Sequence, residues 1–172
     1  MVFLGLRKME KQLRVKKLIT VFAICLLIAV YFMIFSFSAD DADTSSALSV
    51  KVTRCLMNVY YRIFDGGNDN AVIIPDMMDE AEAIVRKLAH FTEYMAVGFL
   101  SFGIAVMWTQ RMKAGMAAVT FQVFLSAGID EIHQYFVPGR HASFRDVMID
   151  TAGGIAGIMI VFLMYKIRKR RR

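Results

Sequence analysis

The sequence predicts an all-α integral membrane protein, namely a four-helix bundle with an amphipathic helix in the first extracytoplasmic loop. The chain has 172 residues, of which 57% are apolar and only two are proline. This composition is typical of a membrane protein rather than a soluble domain. Four apolar runs also approach the ~17–25 residues that cross a bilayer as a helix. These runs cover residues 18–37, 88–108, 114–130 and 147–165.

The first run is best interpreted as an uncleaved anchor helix. Lys16 and Lys17 precede it and small residues such as Ser38 follow it, so a cleaved signal peptide is the alternative. The run is longer than the ~7–15 apolar residues of a signal peptide. We therefore expect a basic cytoplasmic N-terminus (1–17), one membrane domain (18–166) and a basic cytoplasmic tail (167–172).

Charge distribution predicts that both termini are cytoplasmic. Lysine and arginine are concentrated before residue 18, at Arg111 and Lys113 in the second connection, and after residue 165. The first connection instead carries most of the acidic residues. By the positive-inside rule, the basic segments lie in the cytoplasm and the acidic connection lies outside. The basic excess therefore reflects topology and contact with membrane lipids, and a nucleic-acid partner is not expected.

The long outer connection contains a predicted amphipathic helix. Apolar residues recur at helical spacing between Thr44 and Gly66, with Thr44 or Ser45 available as the N-cap and Gly66-Gly67 as a stop. This helix either lies on the membrane surface or covers the bundle as a gate. The next helix is expected to begin well outside the membrane, near Asp76, with Pro75 as a first-turn proline.

The two cysteines give little functional information. Cys25 lies in the first apolar run and Cys55 in the outer connection, so a disulfide between them is not expected. Neither belongs to a metal-binding pattern such as C-x-x-C. We interpret both as packing residues.

Polar residues form one stripe on each of the last three membrane helices. The third apolar run is short, so its helix is expected to extend through the acidic residues at its end. Residues spaced by three or four positions share one helix face. The stripes are Arg86, His90, Glu93 and Val97; Gln122, Ser126, Asp130 and Gln134, with Glu131 beside them; and Asp146, Asp150, Gly153 and Gly157.

These stripes predict an extracytoplasmic polar pocket. An ionisable group facing hydrocarbon costs at least ~2.5–3.5 kcal/mol, so several at one depth are expected to face a shared interior. Pro138 and Gly139 supply the turn between the last two helices. Ser143 and Asp146 have the spacing of a helix cap. His133 and His141 are interpreted as loop residues.

The order of several motifs resembles the VanZ-like family of bacterial membrane proteins. These motifs are Arg86-Lys-Leu-Ala-His-Phe-Thr-Glu-Tyr94, Asp130-Glu-x-x-Gln134, Pro138-Gly-Arg140, Asp146 with Gly153-Gly154 and Gly157, Phe35-Ser-Phe-Ser38, and Ser45-Ser-Ala-Leu-Ser49. The family often has an amide where Asp150 stands. The resemblance implies a bacterial cytoplasmic membrane location. It also implies an envelope role, since the family is named for a protein that lowers susceptibility to teicoplanin.

Three functions remain open at this point. As a binding protein, the chain would hold phosphates of a lipid-linked cell-wall precursor, or anionic groups of a lipophilic glycopeptide, with Arg86 and Arg140. As an intramembrane hydrolase or transferase, it would use acid-base groups. As a structural or partner-binding protein, it would use the polar residues of the three stripes to fix the register of the helices. The small-residue face formed by Gly153 and Gly157 would permit a homo-oligomer.

Candidate site residues follow from these alternatives. The candidate catalytic residues are His90, Glu93, Glu131 and Asp146. The candidate ligand-binding residues are Arg86, His90, Glu93, Asp130, Glu131, Gln134, Arg140, Asp146 and Asp150. No cofactor or metal is expected, because the paired Glu-x-x-His motif of helical-bundle metal sites is missing.

Overall fold

The computed structural model describes residues 2–39, 42–64, 75–109 and 111–171. It contains five helices: α1 (Val2–Ala39), α2 (Ala42–Phe64), α3 (Pro75–Trp108), α4 (Met112–Tyr135) and α5 (Phe144–Arg170). All but α2 are long and apolar enough to cross a membrane. The chain is therefore an all-α, multi-pass membrane protein with four spans, as the sequence predicts. The predicted stop at Gly66-Gly67 lies outside the described residues.

The anchor helix α1 is longer than its apolar run. It begins at Val2, so the basic segment before residue 18 is helical as well. Large apolar side chains such as Phe22 and Phe32 are exposed on it, as expected for a face in contact with lipid. Trp108, at the end of α3, donates a hydrogen bond from Nε1 to Thr20 Oγ1 at 2.8 Å. The Lys16 ammonium lies 4.3 Å from the centre of the Trp108 ring, so a cation–π contact also joins the two helices.

The amphipathic helix α2 is present but differs from the prediction at its start. It begins at Ala42 and includes Thr44 and Ser45, so the prediction that either residue is its N-cap is wrong. The helix packs against α3 and buries Thr53. Most of its predicted apolar face is exposed, including Leu56 and Ile63. This exposure favours a helix lying on the membrane surface over a gate.

Cys25 and Cys55 are both free and exposed. The interpretation of both as packing residues is therefore wrong. In α1, the exposed face that carries Cys25 is available for lipid contact, which an apolar sulfur side chain tolerates.

The predicted turn joins α4 to α5. Helix α4 extends through Asp130 and ends at Tyr135. The polar residues at its end therefore lengthen the short apolar run, as predicted. The Arg140 backbone N–H donates to Val137 O at 3.2 Å, and Gly139 has a φ of 76°. Proline followed by a glycine with positive φ is the pattern of a type II turn, in which glycine avoids a steric clash.

The predicted cap of α5 is only partly correct. Ser143 does occupy the N-cap position, but its side chain makes no capping hydrogen bond. Its backbone N–H instead donates to Glu131 Oε2 at 2.7 Å. The capping interaction with Asp146 is therefore wrong, and the start of α5 is attached to the end of α4 by Glu131.

Glycines allow α5 to pack closely against α3. A Cβ atom at Gly153 would collide with the backbone of Phe91, and one at Gly157 with the backbone of Met95. Gly98, on α3, makes the reciprocal approach to Gly154. The predicted small-residue face is thus used within the chain. Helix α5 is also the most buried of the four spans, and both α3 and α4 pack against it. A homo-oligomer remains a prediction.

Replacing Gly157 by valine should destabilise the α3–α5 contact by about 3 kcal/mol, the upper end of the usual overpacking cost, because a helix backbone must move. Thermal unfolding in detergent, followed by circular dichroism, measures this change. Gly103→Ala is the matched control, since an added Cβ there meets no described atom within 4 Å. Equal melting temperatures for wild type and Gly157→Val would contradict the packing described here.

A polar pocket at one end of the bundle

A cavity of about 270 Å³ lies where the first half of α3 meets the end of α4 and the start of α5. Its lining comes from those three helices and the turn between α4 and α5. The lining residues are Arg86, Lys87, His90, Glu131, Gln134, Gly139, Arg140, His141, Asp146, Ile149 and Asp150. Seven of the nine residues predicted to bind a ligand are among them. The remaining two, Glu93 and Asp130, are neighbours of lining residues and contact them.

Asp130 is fully buried and is held by two donors. Ser38 Oγ donates to Asp130 Oδ2 at 2.9 Å, and Gln134 Nε2 donates to the same oxygen at 3.0 Å. Gln134 also donates to Ser38 Oγ at 3.2 Å. The end of α1 is thereby connected to α4. Ser38 was not predicted as a site residue, although the Phe35-Ser-Phe-Ser38 motif contains it.

The polar stripe of α4 continues deeper into the bundle. Gln122 Nε2 donates to Tyr31 OH at 3.0 Å and to Ser101 Oγ at 3.2 Å. Tyr31 OH in turn donates to Ser126 Oγ at 3.2 Å. These bonds join α1, α3 and α4 inside the membrane span. The α4 stripe therefore faces protein rather than lipid, as its spacing predicts.

Three basic residues surround the opening of the cavity. Arg140 donates from Nη2 to Phe37 O at 3.3 Å, which ties the turn to the end of α1. The Lys87 ammonium lies 3.4 Å from Asp146 Oδ1. Both side chains of this pair are about one third exposed or more, so the pair is worth about 0–1 kcal/mol. We call Arg86, Lys87 and Arg140 the basic rim. Lys87 was not predicted as a site residue.

Three acidic residues lie deeper than Lys87, whereas Asp146 is about as exposed as Lys87. Glu131 is 6% exposed and Asp150 is 2% exposed, whereas the Lys87 side chain is 40% exposed. Glu131 is anchored by the Ser143 N–H described above. We call Asp130, Glu131 and Asp150 the acidic floor. The base of the pocket is therefore acidic, and its outer part holds the basic rim together with Asp146.

His90 lies between the basic rim and the acidic floor. Its Nδ1 is 3.8 Å from Glu93 Oε2, too far for a hydrogen bond. The other two histidines differ from the prediction in one respect. His141 is in the connecting segment and lines the cavity, but His133 belongs to α4, where its ring makes an edge contact with Phe35. The loop assignment of His133 is therefore wrong.

The family comparison identifies the chain. A family model described as VanZ/LLP1 matches residues 22–165. The chain belongs to this family. The matched region contains every residue that lines the pocket of this VanZ/LLP1 membrane protein. No curated protein and no solved structure shows significant similarity to the chain.

Replacing Ser38 by alanine should destabilise the protein by about 1–3 kcal/mol, because the buried Asp130 carboxylate loses one of its two donors. Ser36→Ala is the matched control. Ser36 is exposed and donates only within its own helix, to Phe32 O, so its loss should change stability by no more than about 0.5 kcal/mol. Thermal unfolding of the two variants in detergent compares them directly, and equal losses would argue against the Asp130 network.

Proposed function

We propose that the pocket binds the phosphate-bearing head group of a lipid-linked cell-wall precursor on the extracytoplasmic side of the bacterial cytoplasmic membrane. This binding would lower susceptibility to teicoplanin, which acts at the outer cell surface. The basic rim is the observation that carries the proposal, because three cationic side chains line one small cavity.

The chemistry of the basic rim suits phosphate. Arginine presents a planar fork of donors that matches phosphate oxygens, and lysine adds a compact positive charge. The contact from Arg140 to Phe37 O limits the motion of its guanidinium. The weak pair between Lys87 and Asp146 can be exchanged for a pair with a ligand at small cost.

The cavity size selects a head group over a whole antibiotic. Sites that enclose a drug-sized ligand usually measure about 300–1,000 Å³. At about 270 Å³, the pocket accommodates one or two phosphates with their nearest atoms. An intact lipophilic glycopeptide is far larger than this. The alternative ligand predicted from the sequence is therefore disfavoured, whereas a precursor can leave its lipid tail in the membrane and its sugars outside.

Charge topology supports an extracytoplasmic pocket. The cavity lies beside the end of α1 and the first half of α3, toward the end of the bundle that the acidic first connection joins. The opposite end carries the basic N-terminal segment, Arg111, Lys113 and the basic end of α5. The positive-inside rule assigns that opposite end to the cytoplasm. Lipid-linked precursors that have crossed the membrane would then meet the pocket.

Expression of the wild-type chain in a sensitive Gram-positive host should raise the teicoplanin concentration needed to inhibit growth, with less effect on vancomycin. Arg140→Ala should abolish this protection, since it removes the guanidinium fork that would bind phosphate oxygens through charge-assisted hydrogen bonds. Growth inhibition by both antibiotics is the measurement, with membrane levels compared by immunoblot.

Arg145→Ala is the matched control. Arg145 is exposed on the first turn of α5 and does not line the cavity. It should retain protection at equal abundance. The proposal fails if well-expressed wild type gives no protection, or if Arg140→Ala and Arg145→Ala behave alike.

A further inference from the structure

Three helices bring potential metal ligands together at the base of the pocket. A nitrogen of His90 on α3 and carboxylate oxygens of Asp130 on α4 and Asp150 on α5 all lie within 4.8 Å of one another. The sequence separates these residues by 20 positions or more, so no local motif indicates the cluster. Both aspartates are almost completely buried, at 0% and 2% exposure.

Asp130 has one oxygen held and one oxygen without a partner. Ser38 and Gln134 both donate to Oδ2. Oδ1 is buried and accepts no hydrogen bond from the described part of the chain. A carboxylate that binds a metal through one oxygen is commonly oriented in this way, by hydrogen bonds to its other oxygen.

One ring nitrogen of His90 is also without a hydrogen-bond partner. Its Nδ1 is buried without a hydrogen-bond partner among the described residues, and Glu93 Oε2 lies 3.8 Å away. A small rotation of either side chain would let Nδ1–H donate to Glu93. The other ring nitrogen would then be left for a cation, which is the usual arrangement of a metal-bound histidine supported by a carboxylate.

The electrostatics of the cluster also favour a cation. Two buried aspartates from facing helices repel each other, and transfer of each charge from water costs several kcal/mol unless it is paired. Ser38 and Gln134 satisfy only part of this requirement. A divalent cation between the two carboxylates would offset the charge of both.

We propose that His90, Asp130 and Asp150 bind one divalent cation of the Zn²⁺ or Mn²⁺ class. One imidazole nitrogen with two carboxylate oxygens suits these ions, whereas Ca²⁺ and Mg²⁺ prefer oxygen ligands alone. Metal–ligand bonds of about 2.0–2.2 Å place ligand atoms roughly 3–4 Å apart, so side-chain shifts of about 1 Å close the site. Asp150 would therefore contribute a ligand that an amide at the same position would supply poorly.

This site goes beyond the proposed function and does not require it. The three ligands lie on the side of the acidic floor, while phosphate binding was assigned to the basic rim. A bound cation would also neutralise the floor that otherwise repels a phosphate held at the rim. Tests with metal alone separate the two proposals, because they contain no lipid or antibiotic.

The experiment titrates Mn²⁺ into the full-length, metal-stripped protein in detergent and follows binding by electron paramagnetic resonance. We expect one ion per chain. Electron spin-echo modulation should show a ¹⁴N coupling from His90. Competition by Zn²⁺ should displace the Mn²⁺ signal. Asp150→Asn should weaken Mn²⁺ binding by at least about 10-fold, the scale of loss when a metal site is disturbed.

Glu82→Gln is the matched control for removing a buried carboxylate. Glu82 is also buried on α3 but lies eight residues before His90, about 12 Å along the helix. It should bind Mn²⁺ as wild type does. If Asp150→Asn fails to fold, loss of the ¹⁴N coupling in His90→Gln, with the coupling kept in His141→Gln, decides the assignment. Absence of stoichiometric binding by folded wild type, absence of the coupling, or equal binding by Asp150→Asn and wild type would each overturn the proposal.

Discussion

The structure depends on the cost of placing charged groups inside a membrane. Each ionisable residue that faced lipid would cost at least ~2.5–3.5 kcal/mol, and the last three helices together carry several of them. The arrangement that avoids this cost turns every polar stripe inward at the same end of the bundle. The rotation of α3, α4 and α5 is thus determined by their polar residues. Apolar side chains such as Phe22 and Phe32 remain on the outer face of α1.

Close packing and polar bonding support each other in this arrangement. Gly153 and Gly157 let α5 approach the backbone of α3, which brings Asp150 near His90. The Gly139 turn then returns the chain so that Ser143 reaches Glu131. Without either feature, the acidic floor would be open to lipid or water. The same elements that stabilise the bundle therefore define the pocket, and a structural role for the polar network is compatible with a binding role.

The division of charge within the pocket links the two proposals. Basic side chains at the opening suit an anionic head group, and carboxylates with His90 at the base suit a cation. An anion bound alone would leave the carboxylates at the base uncompensated, and a cation bound alone would leave the basic rim uncompensated. A phosphate above a divalent cation satisfies both, with each ligand reducing the repulsion felt by the other. This pairing gives an anionic ligand a physical reason to enter a pocket whose floor is acidic.

Much of this organisation could be predicted from helical spacing. The four spans, the three polar stripes and the Pro138-Gly139 turn all follow from local periodicity and backbone preference. Spacing does not give the distance between helices, so the approach of Gly98 to Gly154 and the contact of Ser38 with Asp130 were missed. Lys87 was overlooked because it adjoins the Arg86 stripe without sharing its spacing.

The errors at helix ends have a different cause. Thr44, Ser45 and Ser143 were assigned capping roles from residue type. A hydroxyl caps only where the helix begins, and α2 already includes Thr44 and Ser45. At Ser143 the position is correct, but Glu131 from the preceding helix accepts the backbone hydrogen bond instead. Tertiary contacts of this kind outweigh local preference.

The most direct test of the central claim is whether the pocket opens to the outside of the cell. In a chain with Cys25 and Cys55 replaced by serine, His141→Cys places a single thiol on the pocket wall. A membrane-impermeant maleimide should label this variant in intact cells, whereas Lys113→Cys, at the opposite end of the bundle, should react only after permeabilisation. Labelling of Lys113→Cys but not His141→Cys in intact cells would reverse the topology and contradict the account.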